Sequence, residues 1–510
     1  MMSVRDAAHI APAAASLRRT AVSGLVWLLA GSISNRATVL ISQLFLAKLL
    51  EPEDFGLFGL ASTITTVFGV LTEVGIEQIL QQRRARMRLW TTQAFWISLI
   101  LASIVTAVIA AAAPVFAAFY HAPQIVMLVW ISTASLPLSA LATVPRAYLQ
   151  AAMRFRFLSS YNAADLAALQ CATILLAWTG CGVLSFVLPL PVLALVRTAW
   201  FWCVAPVPIR TLRYCRHWRI MLSRGSMILG SRITNVLIDQ GDYATLGLLA
   251  TTHNVGLYYF AFRISAQPMR MLAGNLSAVL FPMLNAIKGE HTLQRDMALK
   301  AAEVLGALTV PVCFLQAAVA GPALTLLFGT RWAEAIPLLQ LLSLGLPFDA
   351  ISWPAGALLA VRGKFGKIFF YQIIFTPVFY GLVLTGALLH AATGVAVAVA
   401  IYFVVHPLTF SLLVFVQEGI PVRRVLAGYI RPLALGLGTI GATQAIGTML
   451  FASLSPLAQI AAILTLGGGG YVLAARWFTP VLYQTAKDLA LGTVRRRGMA
   501  RVPEPAGLKG

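Results

Sequence analysis

The sequence predicts an all-α integral membrane protein: fourteen transmembrane helices, arranged as two six-helix lobes followed by two C-terminal helices. Three observations predict it: a composition suited to lipid, long uninterrupted apolar runs, and basic residues confined to alternate loops. The 510 residues have a mean hydropathy of +0.82 and only 11% charged residues. A soluble domain carries about 25%, so this chain cannot cover a water-facing surface. A bilayer core about 30 Å thick needs about 20 apolar residues per helix. Such runs lie near 20–48, 56–81, 90–119, 124–150, 157–180, 182–205, 225–250, 255–286, 297–328, 333–361, 366–390, 393–417, 427–453 and 457–480. They are continuous and rich in Leu and Ala, whereas a transmembrane barrel needs short alternating segments.

Charge orients the runs. The net charge of +21 would suggest nucleic acid in a soluble protein, but here the basic residues follow every second run. Arg18 and Arg19 precede the first, and Arg83, Arg84, Arg86 and Arg88 follow the second. Arg154 and Arg156, then Arg210 to Arg224, then Lys288 to Lys300, then Arg362 to Lys367, then Arg423 and Arg424 continue the alternation. Arg495, Arg496 and Arg497 lie in the tail, and Arg331 is the clear exception. Basic loops stay inside, so both termini are expected in the cytoplasm. The polar start and the long first run read as a membrane span, not a cleavable leader.

The loops expected outside are very short: 49–55, 120–124, around 181, 251–254, 329–332, around 391 and 454–456. They leave no room for a folded catalytic domain. No Gly-rich phosphate loop ending in Lys-Ser/Thr occurs, the five cysteines show no metal or disulfide spacing, and His217 and His253 read as isolated. The Gly-rich stretch 466–472 lies inside the last run and reads as close helix packing. The chain is therefore expected to be no enzyme, to hold no metal and no cofactor, and to bind no nucleic acid.

A repeat divides the chain. At a shift of 200, Ile33, Asn35, Leu46, Leu49, Gly56, Leu57, Ala61 and Ile64 fall on identical residues, eight identities across positions 33–66. Chance in so biased an alphabet gives about three. Six runs separate the copies, so both cross in the same direction, as a parallel repeat related by an axis along the membrane normal. The expected organisation is a cytoplasmic segment 1–19, an N-lobe 20–205, a basic linker 206–224, a C-lobe 225–417, two helices over 427–480 and a basic tail 481–510.

Ionisable residues inside spans cost about 2.5–3.5 kcal/mol each on an insertion scale, yet several line up on single helix faces. The first run carries Ser32, Arg36 and Gln43; the second Ser62, Thr66, Glu73 and Glu77. The seventh carries Arg232, Asn235, Asp239 and Asp242, and the eighth Arg263, Gln267, Arg270 and Ser277. These are the equivalent hairpins of the two lobes, which points to one shared polar chamber. Four basic and four acidic groups could equally pair and lock helices together. Arg36 and Arg270 fall near mid-span, where guanidinium forks suit a phosphate; Arg263, Arg232, Gln43, Asn235 and Gln267 share their faces. Asp239, Asp242 and Glu73 either couple a proton or Na⁺ or pair with the arginines. Asp165 on the fifth run and Arg197 on the sixth each read as a helix-pairing group or as lining of the first lobe, and Pro268 as a kink in the eighth helix that either hinges the lobe or shapes the helix. The run 146–157, which mixes arginines with aromatics, reads as an interfacial linker.

Several stretches then resemble a known family: LLEPEDFGLFGLAS (49–62), EVGIEQILQQRR (73–84), VPRAYLQAAMRFRF (144–157), residues 230–264 and LFPMLNAIKG (280–289). In order and spacing they resemble the Wzx-type polysaccharide flippases, the colanic-acid and exopolysaccharide exporter branch of the multidrug/oligosaccharidyl-lipid/polysaccharide (MATE-like) superfamily. The resemblance covers roughly residues 20–420. It implies two six-helix lobes around a cavity, a place in the bacterial inner membrane, and transfer of an undecaprenyl-diphosphate-linked oligosaccharide between leaflets for exopolysaccharide or O-antigen assembly. It further implies that Arg36, Arg263 and Arg270 meet the diphosphate, and that a polymerase and a chain-length regulator are partners. The competing readings are a MATE-like drug/cation antiporter and a polysaccharide polymerase or ligase.

Overall fold

The computed structural model describes residues 34–480 and 483–484, apart from 73–74, 78–79, 81–86, 153, 210–217, 288 and 451–453. The expected N-terminal segment 1–19, Glu73, His217 and nearly all of the tail lie outside the described residues. Every regular element among the described residues is helical. In chain order they are α1 (34–49), α2 (Pro52–Thr72), α3 (Met87–Phe119), α4 (Ile125–Ala151), α5 (Phe155–Trp178), α6 (Leu184–Val204), α7 (Trp218–Leu249), α8 (Thr252–Ala286), α9 (His291–Phe328) and α10 (Ala335–Val361). The helix Phe365–Gln417 is two limbs, α11 (365–389) and α12 (392–417), broken at His390 (φ −144°) and Ala391 (φ 45°), where a short outer turn is expected. The chain ends in α13 (Val422–Gly447) and α14 (Pro456–Phe478). Nine helices among the described residues are long and apolar enough to cross a membrane. The striped α7 and α8 fall outside that set, because charged side chains dilute their apolar character. α7 starts at Trp218, so the end of the expected linker 206–224 is already helical.

Packing divides the chain into two compact units. The first holds residues 1–267 with 369–399; the second holds 268–368 with 400–510. This division differs from the expected 20–205 and 225–417 lobes. It cuts α8 between Gln267 and Pro268, the proline whose missing N–H weakens the helix ladder there.

In the first unit α4 packs on α2, α3 and α6, and α2 also packs on α7. α2 starts sharply: Pro52 fits the first turn, and the Asp54 carboxylate accepts the Glu51 N–H at 3.2 Å. Here the two copies of the repeat meet. A Cβ on Gly56 would lie 1.9 Å from the Thr252 carbonyl oxygen; one on Gly256 would lie 1.8 Å from that of Pro52. The pairs 52/252 and 56/256 exchange contacts reciprocally, as a local two-fold requires, so the backbones touch with no side chain between. At the same crossing His253 Nδ1 lies 2.7 Å from Glu53 Oε1, again 200 residues apart. His253 read as isolated in the sequence; its partner is the equivalent residue of the other copy. One turn further in, the rings of Phe55, Phe58, Phe186, Tyr259 and Phe260 pack edge-on and stacked, with centroids 4.4–5.9 Å apart.

In the second unit α9 is packed by α10, α13 and α14. The π-helical turns Leu437–Gly441 and Ile463–Gly468 lie in contact. There Gly467 approaches the Ile440 backbone and the Leu315 side chain, the close packing expected of the 466–472 stretch. One end of the unit is tied by charge. Glu418 pairs with Arg362 and, at 3.4 Å, with Lys364, while Arg295 donates to the Glu418 carbonyl at 3.1 Å. Partial burial opposes ionisation of Glu418. The hydrogen bond and charge of Arg362, helped by Lys364, outweigh it and hold the carboxyl below the usual carboxylate range.

Candidate functional site

Beyond the aromatic layer, the first unit contains a cavity of about 700 Å³ walled by α2, α3, α4, α6 and α7. Its lining is mixed in a way a helix core is not. Thr65, Thr66, Thr72, Ser98, Ser139 and Thr143 supply hydroxyls, Asn235 an amide, and Glu77, Arg146, Arg197 and Arg232 charges. Val70, Ile76, Leu136, Phe201 and Val236 supply apolar wall. The volume lies within the range of pockets that enclose small organic groups, about 300–1,000 Å³.

The charged residues are braced. Arg197 Nη2 lies 3.2 Å from Asp165 Oδ2, with the two side chains 31% and 21% exposed. Arg146 Nε stands 3.9 Å from Glu77 Oε1, and Gln150 donates to Glu77 Oε2 at 3.5 Å. Asn235 Oδ1 accepts from Gln372 Nε2 at 2.9 Å. Thr65 and Thr72 hydroxyls turn back to the carbonyls of Ala61 and Gly69. Ser98 differs: it is 4% exposed and its Oγ has no hydrogen-bond partner among the described residues. A buried polar atom without a partner is uncommon and calls for a ligand or water.

The structure distributes the sequence-selected residues unevenly. Arg232 and Asn235 line the cavity. Arg36 is half-buried on α1; Gln43, about two turns further on, is 5% exposed, with an Oε1 that no described residue satisfies. Arg263 donates through Nε to the Tyr259 hydroxyl at 2.9 Å and stacks over that ring. Gln267 ends the first unit's share of α8, and Arg270 is half-buried in the second unit. Asp239 is exposed. Asp242 is 2% exposed; it accepts the Tyr258 hydroxyl at 2.7 Å and the Tyr243 N–H at 2.9 Å, so an aromatic seam, not an arginine, holds it.

Sequence reasoning missed the cavity hydroxyls of Thr65, Thr72, Ser98, Ser139 and Thr143 and the charge of Arg146. Arg146 was grouped with an interfacial linker, yet it lies inside α4, a turn before that helix ends. Arg197 carried two readings, a helix-pairing group and a lining residue of the first lobe; the structure gives it both, paired with Asp165 and facing the cavity. A signal was available for Arg263: Tyr259 stands four residues before it, the helical spacing that lets side chains meet.

Comparisons with known proteins agree with this architecture. A family model described as "Polysaccharide biosynthesis protein" matches residues 45–337. The chain is 24% identical over 423 residues to the succinoglycan biosynthesis transport protein ExoT of Rhizobium meliloti (strain 1021), covering 82% of this chain and 85% of that one. It is 22% identical over 446 residues to the lipopolysaccharide biosynthesis protein WzxC of Escherichia coli (strain K12), covering 85% and 89%. Among solved structures, the lipid II flippase MurJ in an inward closed conformation superposes with a TM-score of 0.72 at 13% identity, over 92% of this chain and all of that one. The Vibrio cholerae MATE transporter VcmN superposes at 0.54 and 12% identity, over 79% and 97%.

Proposed function

The chain belongs to the polysaccharide biosynthesis protein family, and from that premise we propose that it is a flippase moving undecaprenyl-diphosphate-linked oligosaccharide units across the bacterial inner membrane. The observation that carries this reading is the cavity: six hydroxyl side chains, an amide and three guanidinium groups walled into a helical membrane unit. Hydroxyls and amides exchange hydrogen bonds with sugars, and guanidinium forks pair with phosphate oxygens. Such groups are costly in lipid, so a chamber lined with them suits a polar head group in transit. The polyprenyl tail stays in the bilayer, where it needs no protein cover.

In this reading the cavity arginines Arg146, Arg197 and Arg232, with Arg36 and Arg263 of the same unit, receive the diphosphate, and Asn235, Gln43 and Gln267 the adjoining sugars. The chain crosses fourteen times with both termini in the cytoplasm, and its twelve leading spans form two lobes related by the repeat. The site alternates between leaflets, driven by a gradient of H⁺ or Na⁺, with Asp239, Asp242 and Glu73 as candidate coupling groups. No bond is made or broken in the cargo, so the protein is a transporter and not an enzyme. A polymerase and a chain-length regulator take up the product outside.

Deleting the gene should abolish the surface polymer and leave lipid-linked oligosaccharide accumulated on the inner leaflet. Arg36→Ala with Arg232→Ala should reproduce that in membranes that still contain the protein. Normal polymer yield from this well-expressed double variant would overturn the assignment.

A further inference from the structure

The second unit carries a group of charges that the cavity does not use. Where α9 packs on α13, both helices are trimmed to glycine: a Cβ on Gly306 would lie 3.0 Å from the Gly428 carbonyl oxygen and 3.2 Å from Pro432 Cγ. So close an approach leaves no room between the helices for long side chains, which leave the seam along its edge. Glu303, one turn before Gly306, has its Cγ 3.6 Å from the place a Cβ on Gly428 would take. The charges that act on Glu303 are those of Arg424, Arg431 and Lys300. Arg424 and Arg431 stand four residues before and three after Gly428, so they share its face of α13; Lys300 and Glu303 are three apart on α9.

These four do not form a closed helix lock. Glu303 is half-buried, and the three cations are exposed. Among the described residues Glu303 accepts no hydrogen bond and lies outside salt-bridge distance of all three. One contacting cation would neutralise the carboxylate; three at a distance leave positive charge facing outward.

The depth of the group is that of lipid head groups. From Glu303 to Phe328, the last residue of α9, the helix rises about 37 Å, more than the hydrocarbon thickness of about 30 Å. α14 agrees. The Tyr471 hydroxyl donates to the Ala307 carbonyl at 3.2 Å, and beyond it, toward the same end, Trp477 and Phe478 are 79% and 78% exposed. Large aromatic side chains so placed anchor a helix at the interface. The charge pattern assigns this end to the cytoplasm.

We propose that the α9–α13 seam is a binding site for an anionic phospholipid of the inner leaflet, whose phosphate lies against Lys300, Arg424 and Arg431, with Glu303 as the carboxylate that aligns them. A guanidinium carries five donors in a fork, so each arginine can face Glu303 and a phosphate oxygen together. Basic pockets between transmembrane helices on the cytoplasmic side take such head groups. The exposed Ile430 and Leu437 of α13 offer apolar surface to the acyl chains. A phosphate bridging the seam ties α9 to α13, so the lipid stabilises the second unit by binding its folded form. The site is separate from the cavity and does not depend on the cargo.

The test titrates the purified full-length protein in detergent with phosphatidylglycerol, cardiolipin, phosphatidylethanolamine and inorganic phosphate. Native mass spectrometry reads binding, and the melting temperature is followed in parallel. The two anionic lipids should bind and raise the melting temperature; phosphatidylethanolamine and inorganic phosphate should do neither. Lys300→Gln with Arg424→Gln and Arg431→Gln should weaken binding at least tenfold and remove the shift. Arg232→Ala, in the cavity of the first unit, should leave both in place. A photoactivatable phosphatidylglycerol should cross-link the unaltered chain on α9 and α13, which tests the site even where the triple variant does not fold. Equal binding of phosphatidylethanolamine, full affinity in the folded triple variant, loss of binding in Arg232→Ala, or cross-links confined to other helices would each overturn the site. A shift reproduced by inorganic phosphate alone would make the ligand a free anion and overturn the lipid.

Discussion

The two halves of α2 are built to opposite ends. From Pro52 to Ile64 the helix offers glycines and rings: Gly56 touches backbone, Gly59 lies against the Tyr259 ring, and Phe55 is fully buried. From Thr65 to its end at Thr72 the same helix offers hydroxyls to a cavity, and Gly69 has only Leu136 at 3.7 Å from its missing Cβ. One half excludes everything, and the other leaves space for a polar guest. A single continuous helix can do both because each turn answers to a different neighbour. The difference teaches that closure here comes from absent side chains, and openness from small polar ones.

Substitutions should separate the halves, and the largest effect belongs to the closed one. Gly56→Ala forces a methyl into the Thr252 carbonyl, a clash no rotamer relieves. Overpacking of this kind costs about 1–3 kcal/mol, at the upper end here because the obstacle is backbone. The expected result is a clear fall in the melting temperature of the purified protein, and an unchanged melting curve would refute the contact. Tyr258→Phe follows. It strips the hydroxyl from Asp242, whose buried carboxylate then loses a partner at a cost of about 1–3 kcal/mol; thermal unfolding in detergent measures it.

At the open half, effects on transport should outrun effects on stability. Asp165→Asn releases Arg197 from a partly exposed pair, worth about 1 kcal/mol or less. Polymer export should nonetheless fall severalfold as the guanidinium shifts within the cavity, and equal losses in both readouts would argue that the pair is only structural. Acid acts elsewhere, on the second unit. The Glu418 carboxyl titrates lower when folded than when unfolded, so its pair with Arg362 contributes its full stability above the ordinary carboxylate range. That contribution is lost as pH falls below this range toward the folded value. Glu418→Gln should therefore flatten the acid limb of the pH–stability curve. The smallest effect is Gly69→Ala. With open space around it, a change within about 0.5 kcal/mol is expected, against the large loss at Gly56 one helix-half away.

Much of this was legible in the sequence. Short outer turns were expected near 120–124, 181, 251–254, 329–332 and 391, and helix breaks fall there, because apolar run length and loop composition are local properties. The shift of 200 located Gly56 and Gly256, although not the fact that they touch. Site residues were harder. Arg232 and Asn235 reach the cavity as their stripe implied, but Asp242 from the same stripe turns into the seam with Tyr258, and Arg146 joins from a segment read as a linker. A helical stripe fixes which residues share a face, not what that face meets.

By itself, then, the sequence determined the solvent of this protein, the rhythm of its helices and the family to which it belongs. The first two follow from transfer free energies summed along the chain, and the third from the order and spacing of its motifs. Only the tertiary structure decided which charges meet a tyrosine, a carboxylate or a cavity, and that two glycines 200 positions apart touch. That choice depends on helices distant in sequence, whose approach sets the local dielectric and the partners each polar atom can reach.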